Sequence, residues 1–265
     1  MPKTDLADKS IIITGASSGI GRAAAIECAR AGMRVIVAAR RLDRLETLVN
    51  EIQSAGGQAR PLAVDVADAD ACKQLFDFTI EQFGACDAVF ANAGVTLGEP
   101  TSTTTEAQLR EIFEINLFGS MNAIRPAIPH MLDRGSGHVL LCSSCLSLLT
   151  IPNHGAYTAT KAAQHHMARA MRSELHGTGV RVSSVHPIGT RTELFDVSKE
   201  KHGEYKAKQP PALFMQPPER VARAVVRCLR KPRPEVWTSR TARLVMSLSN
   251  ATPRMTDFIV RKTMG

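Results

Sequence analysis

"TGASSGIG", residues 14–21, follows three consecutive isoleucines and opens an alanine-rich segment, which is the pattern of a strand that turns into a helix. Glycine at such a junction lets the backbone adopt a positive φ or approach another group closely. The first amides of the following helix favour negative charge, so a phosphate group fits there. The spacing of Gly15, Gly19 and Gly21 differs from the common dinucleotide pattern G-x-G-x-x-G, and a turn that needs glycine only for tight packing is the alternative.

Seven short runs rich in β-branched residues recur along the chain, separated by segments with helical periodicity. This alternation predicts an α/β fold, a doubly wound parallel sheet with helices on both faces. Such sheets bind ligands at the carboxyl ends of their strands, near the point where the strand order reverses. The predicted strands are residues 10–14, 34–39, 59–64, 87–91, 138–142, 180–185 and 235–238.

The length of 265 residues and the hydrophobic content of 44% favour one large domain with a full core. No apolar run approaches the ~20 residues that span a bilayer, and the first ten residues contain no hydrophobic signal segment. The six cysteines have no paired metal-binding spacing, which predicts reduced thiols and a cytoplasmic location.

The excess positive charge is confined to the C-terminal part of the chain. Residues 219–265 contain 11 Lys and Arg against 3 Asp and Glu, whereas residues 1–218 contain 22 of each. A nucleic-acid-binding protein carries basic charge across its fold, preferably beside aromatic residues, which make up only 5% of this chain. The composition therefore argues against a nucleic-acid partner.

The second predicted strand ends in Ala39-Arg40-Arg41, without the carboxylate that NAD-binding sheets usually place near the ribose. Guanidinium groups pair instead with the 2′-phosphate of NADP(H), which a carboxylate would repel. Arg40 and Arg41 therefore favour NADP(H). The alternative is a solvated basic helix start, in which these side chains only face water.

Polar residues also follow the third and fourth predicted strands. Asp65-Val66 and Asn92-Ala93-Gly94 lie at the edge of the sheet where an adenine and its ribose would bind. Asp and Asn are also common turn formers, so an ordinary turn is the alternative at each position.

Tyr157 has a lysine four residues later, Lys161, and these positions share one face of a helix. A free phenol has a pKa of about 10, and a neighbouring ammonium favours the phenolate and lowers that pKa. Ser144 follows the fifth predicted strand, where its hydroxyl could bond a substrate oxygen held by the phenol. The alternative for the Tyr-Lys spacing is a surface pair on a helix.

Taken together, these motifs resemble the short-chain dehydrogenase/reductase family, of the NADP-preferring type, over roughly residues 8–240. The motifs are TGASSGIG, Asp65, Asn92-Ala93-Gly94, Asn116, Ser144, Tyr157-x-x-x-Lys161 and residues 187–192. Their joint order is more specific than any one motif. The resemblance implies a single Rossmann-like domain over residues 1–240, with seven parallel strands, and an extension over residues 241–265.

The resemblance implies catalytic roles for four residues. Tyr157 would exchange a proton with a carbonyl or alcohol oxygen that Ser144 polarises. Lys161 would lower the pKa of the tyrosine and hold the nicotinamide ribose, and Asn116 would position a water that relays protons.

The resemblance also implies which residues contact NADP(H). After the sixth strand the family commonly has Pro-Gly, whereas this chain has Pro187-Ile188, which affects the expected path of the loop more than the expected activity. The implied contacts are Gly15, Ser17, Ser18, Gly19, Ile20, Gly21, Arg40, Arg41, Asp65, Val66, Asn92, Ala93, Gly94, Tyr157, Lys161, Pro187, Ile188, Thr190 and Thr192.

The implied activity is the interconversion of a carbonyl and a secondary alcohol by hydride transfer with NADP(H). A nucleotide-sensing or scaffold protein on the same fold is the alternative, since such a protein needs no proton donor. We expect an apolar ketone or alcohol as substrate and a lid over residues 193–216 that closes on it. We also expect a homodimer or homotetramer whose interface contains the helices around residues 116–134 and 157–177. The candidate lining residues are Leu146, Leu148, Leu149, Ile151, Leu194, Phe195, Phe214 and Met215.

Three further residues bear on the site. The adjacent His165 and His166 lack the spacing of a metal-binding helix, and we expect both at the surface or an interface. Cys145 is expected to be an inert thiol. His154 either faces the substrate pocket or satisfies a local hydrogen bond.

The extension over residues 241–265 contains two apolar stripes at helical spacing, which Pro253 divides into two short helices. One stripe contains Leu244, Val245 and Leu248, and the other contains Met255, Phe258 and Ile259. Arginines and one lysine surround both stripes. Three uses are open: the helices pack on the body, they lie on an anionic membrane surface, or they receive an acidic carrier or acyl-CoA substrate.

Overall fold

The seven strands of the computed structural model, which describes residues 3–202 and 215–264, each begin and end within one residue of their predicted bounds. They are β1 Ser10–Thr14, β2 Arg34–Ala39, β3 Gln58–Ala63, β4 Ala88–Ala91, β5 Gly137–Cys142, β6 Val180–His186 and β7 Glu235–Trp237. All neighbouring strands are parallel, in the order β3-β2-β1-β4-β5-β6-β7. The doubly wound, Rossmann-like sheet is therefore confirmed.

The strand order reverses at β1. This strand pairs with β2 on one side, where Thr14 lies opposite Ala38, and with β4 on the other, where Ile13 lies opposite Phe90. The carboxyl ends of β1 and β4 meet at one edge of the sheet, where doubly wound folds bind their ligands. The glycine turn begins at this edge.

The helices cover both faces of the sheet. They are α1 Gly19–Arg30, α2 Leu42–Ser54, α3 Ala69–Phe83, α4 Glu106–Phe113, α5 Gly119–Ile124, α6 Ala127–Asp133, α7 Gly155–Glu174, α8 Leu194–His202, α9 Pro218–Arg230, α10 Arg240–Ala251 and α11 Pro253–Met264. A wider π-helical turn, Glu114–Phe118, joins α4 to α5, and a 3₁₀ turn, Cys145–Ser147, follows β5.

Two buried clusters lie on opposite faces of the sheet. Ile11 and Ile13 pack with α1, α2 and α9, whereas Ile12 packs with α3, α5 and α7. Successive side chains of a strand point to opposite faces, so one run of isoleucines serves both clusters. This two-sided burial explains why the strands read as continuous apolar runs.

The two helices after β7 are divided where the sequence predicts. Pro253 begins α11, because proline is tolerated in the first turn of a helix and not in its interior. The Oγ of Ser239 accepts a hydrogen bond from the amide of Ala242 at 3.2 Å and caps α10. None of the helices that the structure describes combines the length and apolarity needed to cross a membrane.

Candidate active site

A cavity of about 910 Å³ opens at the carboxyl edge of the sheet. All but two of the sequence-predicted site residues line it; Gly21 and Asn116 lie outside the lining. The predicted residues on its wall are Gly15, Ser17, Ser18, Gly19, Ile20, Arg40, Arg41, Asp65, Val66, Asn92, Ala93, Gly94, Ser144, Tyr157, Lys161, Pro187, Ile188, Thr190 and Thr192.

The glycine turn is built so that only glycine fits at two positions. Gly15 and Gly19 have φ values of 65° and 53°, which side chains rarely allow. A Cβ on Gly15 would lie 2.8 Å from Cα of Ala93, and one on Gly19 would lie 2.7 Å from Cγ2 of Thr192. The turn therefore packs closely against β4 and the loop after β6.

The N-terminus of α1 is suited to an anion. Ser18 precedes the helix in an extended conformation and makes no side-chain capping bond, and the first turn contains no acidic residue. The first amides of α1 thus lack a side-chain cap, and the helix dipole places positive potential at this point of the cavity wall. These residues fit a phosphate group.

Thr14 joins the ends of β1 and β4. Its Oγ1 accepts hydrogen bonds from the amides of Asn92 at 3.0 Å and Ala93 at 3.1 Å, while Nδ2 of Asn92 donates to the Thr14 carbonyl at 3.0 Å. The polar groups of Asn92 thus hold the edge of the sheet together. Sequence reasoning did not single out Thr14, because the contact spans 78 residues.

Asp65 serves a turn at the end of β3. Its Oδ1 accepts a hydrogen bond from the amide of Ala67 at 3.0 Å, and the residue also lines the cavity. The Val66 carbonyl accepts from Nδ2 of Asn122 at 3.0 Å, which ties this turn to α5. Both interpretations of Asp65, turn former and cavity residue, therefore apply together.

Arginines converge on one carboxylate beside the end of β2. Glu193 accepts hydrogen bonds from Nη1 and Nη2 of Arg41 at 3.2 Å and from Nη1 of Arg44 at 2.7 Å. Burial opposes ionisation of Glu193, but the bonds from Arg44 and Arg41 prevail and hold the pKa of this carboxyl below its usual range. Arg40 is exposed and lines the cavity. Arg44, which the sequence did not single out as a site residue, thus binds the same carboxylate as Arg41.

Tyr157 and Lys161 lie one turn apart near the start of α7. Tyr157 lines the cavity, and Nζ of Lys161 lies 5.6 Å from the centre of the tyrosine ring. Nζ donates to the Cys142 carbonyl and to Oε1 of Gln164, both at 2.9 Å. Lys161 is buried, and burial lowers its pKa.

Gln164 connects Lys161 to Asn116. Its Nε2 donates to the Asn116 carbonyl at 2.6 Å and to Oγ of Ser120 at 2.7 Å, so every polar atom of this fully buried side chain is bonded. Gln164 thus links the ammonium of Lys161 to the Asn116 carbonyl. The signal in the sequence is a polar residue three positions after Lys161, on the buried face of α7.

Asn116 lies behind the cavity wall, in the π-helical turn. Its Oδ1 accepts from the amide of Val95 at 2.8 Å, and its Nδ2 donates to the Val95 carbonyl and to Oγ1 of Thr160, both at 3.0 Å. The side chain therefore fixes the segment after Gly94. Asn116 thus positions a neighbouring segment of the chain and does not itself line the cavity.

The backbone carbonyl of Ser144 contacts a buried histidine. The Ser144 carbonyl lies 3.1 Å from Nδ1 of His186, whose ring stacks on Trp237 at 4.5 Å between centres. Burial lowers the pKa of His186 to about 4, so the ring is neutral. Oγ of Ser144 accepts a hydrogen bond from the amide of Leu146 at 3.1 Å, and the residue lines the cavity.

The loop after β6 follows a path fixed by Gln216. The Gln216 amide donates to the Gly189 carbonyl at 2.8 Å, and its Nε2 donates to Oγ1 of Thr190 at 3.1 Å and of Thr238 at 3.0 Å. The Ile188 amide donates to Thr238 as well, at 3.4 Å. Gln216, placed by sequence reasoning at the end of a lid, instead joins this loop to the end of β7.

α8 lies over the cavity between two charged contacts. Glu193, just before the helix, binds the arginines described above, and Lys201 near its end forms an ion pair with Glu111 of α4. Of the predicted apolar residues, Leu148 and Met215 are not on the wall, and Phe214 lies outside the described residues. Those that line the cavity are Leu146, Leu149, Ile151, Leu194 and Phe195, and sequence reasoning missed Met246 of α10.

The structure corrects the expectation for His165, which is buried and not at the surface. Its Nε2 lies 3.2 Å from Oε1 of Glu235, because α7 packs its inner face on the edge of the sheet at β7.

His154 lines the cavity and also lies beside the Pro152 carbonyl. All six cysteines are buried and free, and burial raises the pKa of Cys145 to about 11, as expected for an inert thiol.

Residues 9–203 match the family model described as short chain dehydrogenase. An uncharacterized oxidoreductase of Listeria innocua is 34% identical over 227 residues, which cover 85% of this chain and 92% of the relative.

Solved structures agree on the fold. A short-chain dehydrogenase/reductase from Burkholderia phymatum, in complex with NAD, superimposes with a TM-score of 0.86 at 23% identity and covers 96% of each chain. An alcohol dehydrogenase from the archaeon Thermococcus sibiricus, complexed with 5-hydroxy-NADP, has a TM-score of 0.75 at 30% identity and covers 86% of this chain and 95% of its own.

Proposed function

This chain belongs to the short-chain dehydrogenase/reductase family, and we propose that it is an NADP(H)-dependent oxidoreductase that interconverts a carbonyl and a secondary alcohol. The observation that carries the proposal is one cavity whose wall contains Ser144, Tyr157 and Lys161 together with the glycine turn. A phosphate site and a proton donor in one cavity are what hydride transfer requires of the protein.

The residues on the wall fit a dinucleotide. The uncapped start of α1 and the close-packed glycines suit its pyrophosphate, and the residues after β3 and β4 suit an adenine and its ribose. Residues after β5 and β6 border the space left for a nicotinamide. When bound, the nicotinamide supplies or accepts the hydride.

The protein's own residues handle the proton and the orientation of the substrate. Tyr157 donates its hydroxyl proton to the carbonyl oxygen in reduction and accepts it back in oxidation. Ser144 donates a hydrogen bond to the same oxygen and polarises it. The ammonium of Lys161, 5.6 Å from the tyrosine ring, favours the phenolate and so eases proton transfer.

We propose NADP(H) rather than NAD(H), because Arg41 and Arg44 already hold an anion beside the end of β2. A 2′-phosphate would take the place of the Glu193 carboxylate on these guanidinium groups. The Thermococcus enzyme, bound to 5-hydroxy-NADP, supports this choice, whereas the Burkholderia structure contains NAD.

The substrate we propose is an apolar ketone or alcohol of medium size. Leu146 of the 3₁₀ turn after β5 and Leu149 and Ile151, which follow that turn, line the cavity together with Leu194 and Phe195 of α8, so part of the wall is apolar. We further propose that α8 closes over the substrate as a lid. The family resemblance supports a homodimer or homotetramer.

The test is the substitution Tyr157→Phe, with Ser173→Ala at the far end of α7 as the matched loss of a hydroxyl. Removal of the proton donor should lower kcat/KM by about 10² to 10⁴ and leave the Kd for NADPH unchanged. Turnover on a panel of apolar ketones and NADPH titration provide the two measurements.

Two outcomes would contradict the proposal. Near wild-type turnover by Tyr157→Phe, on a substrate the wild type reduces, would mean that another group donates the proton. NADPH binding without turnover of any carbonyl or alcohol by the wild type would favour the nucleotide-sensing or scaffold alternative.

A further inference from the structure

α10 does not pack on the body through its leucines. Its half-buried residues are Ala242, Met246 and Ser249, whereas Leu244 and Leu248 are 61% and 54% exposed. No residue of α10 is fully buried. The helix therefore presents its bulky apolar side chains to solvent, the reverse of an ordinary surface helix.

α11 repeats this arrangement. Thr256 is buried, and its Oγ1 donates to the Ser249 carbonyl of α10 at 2.9 Å, whereas Met255 and Phe258 are 55% and 66% exposed. Six of the eleven large apolar side chains exposed in the described residues belong to these two helices. We term these six exposed side chains the C-terminal face: Leu244, Val245, Leu248, Met255, Phe258 and Ile259.

The charge of these helices indicates what covers the C-terminal face. Five basic residues stand against a single acidic residue, Asp257, and the whole net charge of the chain lies in residues 219–265. A second copy of this face would bring like charges together, whereas an anionic surface would complement them. The basic residues of the two helices are Arg240, Arg243, Arg254, Arg261 and Lys262.

We propose that the C-terminal face docks on an anionic phospholipid bilayer, with its apolar side chains in the acyl boundary and its arginines at the phosphates. Paired amphipathic helices with basic flanks bind lipid in this way, and long basic side chains reach headgroups from an apolar surface. Exposed apolar surface of this kind marks an interaction site in a folded protein.

Docking would place the bilayer beside the cavity. Met246, on the inner side of α10, lines the cavity wall, so one helix separates the C-terminal face from the candidate active site. If the proposed function holds, a lipophilic carbonyl compound would then have a short path from the membrane to Tyr157. The docking itself does not depend on that activity.

The test is sedimentation of the full chain with vesicles of phosphatidylcholine alone or with ~30 mol% phosphatidylserine. Wild-type protein should bind the anionic vesicles about tenfold or more better than the neutral ones, and binding should weaken as salt rises from about 50 to about 500 mM. Leu248→Ser/Phe258→Ser should abolish binding, whereas Leu109→Ser/Leu132→Ser, which removes similarly exposed leucines from α4 and α6, should not.

A second pair of variants tests the contribution of the positive charge to vesicle binding. Arg254→Gln/Arg261→Gln removes two charges from α11, and the control Lys73→Gln/Arg110→Gln removes two charges from α3 and α4. Only the first pair should weaken binding to anionic vesicles, and unchanged melting temperatures would show that the variants fold. Failure of the wild type to bind anionic vesicles at low salt would overturn the proposal. A second result would also overturn the proposal: the wild type does not bind vesicles, and light scattering shows that Leu248→Ser/Phe258→Ser converts an oligomer to monomers. The C-terminal face would then be an interface between two copies of the chain.

Discussion

Gln164 shows how one buried amide can govern the charge of a neighbour. Its Oε1 is one of two described protein acceptors for the Lys161 ammonium, and its Nε2 ties that contact to the Asn116 carbonyl. Burial already disfavours the charged lysine, so loss of an acceptor would lower the pKa of Lys161 further. A lysine that loses its charge no longer favours the tyrosine phenolate.

We therefore predict that Gln164→Leu moves the pH midpoint of kcat/KM for alcohol oxidation upward by about one unit, because the phenolate of Tyr157 forms less readily. Gln53→Leu removes an amide of α2 that donates to the Ala59 carbonyl of β3; it is the matched control and should not move the profile. A Gln164→Leu enzyme with a lower melting temperature but an unchanged pH midpoint would reduce Gln164 to a packing residue.

At the scale of elements, the start of α2 and the segment before α8 share one anion-binding position. Arg41→Ala/Arg44→Ala should weaken NADPH binding by about tenfold to a hundredfold, because charged hydrogen bonds to the 2′-phosphate are lost at a half-exposed site. NADH, which lacks that phosphate, should bind as before. Glu193→Gln should tighten NADPH binding, since the competing carboxylate is gone.

Isothermal titration of both cofactors measures these effects, with Arg30→Ala/Arg110→Ala on α1 and α4 as the control for loss of two arginines. Equal dissociation constants for NADPH and NADH in the wild type would mean that the arginines only pair with Glu193. An unchanged NADPH affinity in Glu193→Gln would show that the carboxylate does not compete.

The same elements show what the sequence could predict and what it could not. Most of the strands were predictable because they are short apolar runs with β-branched residues, a signal that is local; β3, Gln58–Ala63, has no β-branched residue and was predictable from its place in the alternation of strands and helices. Tyr157 and Lys161 were predictable for the same reason, since four residues on a helix fix their relation. Thr14, His186 and Gln216 were missed because their partners lie tens of residues away, and the amphipathic pattern of α10 is the same whether its apolar side faces inward or outward.

At the scale of the whole molecule, two buried histidines couple stability to pH. Burial lowers the pKa of His138 to about 3 and that of His186 to about 4, below the ordinary value of about 6.5. Between the folded pKa and about pH 6.5, these two histidines are therefore protonated in the unfolded chain and neutral in the folded chain. The stability from each neutral ring is complete above about pH 6.5 and is lost as the pH falls toward the folded pKa.

We predict that the free energy of unfolding falls by about 2 to 4 kcal/mol between about pH 6.5 and 5. Urea unfolding at several pH values measures the slope, and His138→Gln should make it shallower. His176→Gln, which removes an exposed histidine, should leave the slope unchanged. An equal slope in His138→Gln and the wild type would assign the acid sensitivity to other groups.

The position of β1 between β2 and β4 has a consequence for synthesis on the ribosome. β1 is the first strand to emerge, yet its partner β4 ends at Ala91, 77 residues after Thr14. At translation rates of about 5 to 20 residues per second, one edge of a strand that is fully buried in the folded protein waits roughly 4 to 15 s for its neighbour. During that interval the open edge of β1 is a template for pairing with other nascent chains, and we expect chaperones to protect this segment until β4 is synthesised.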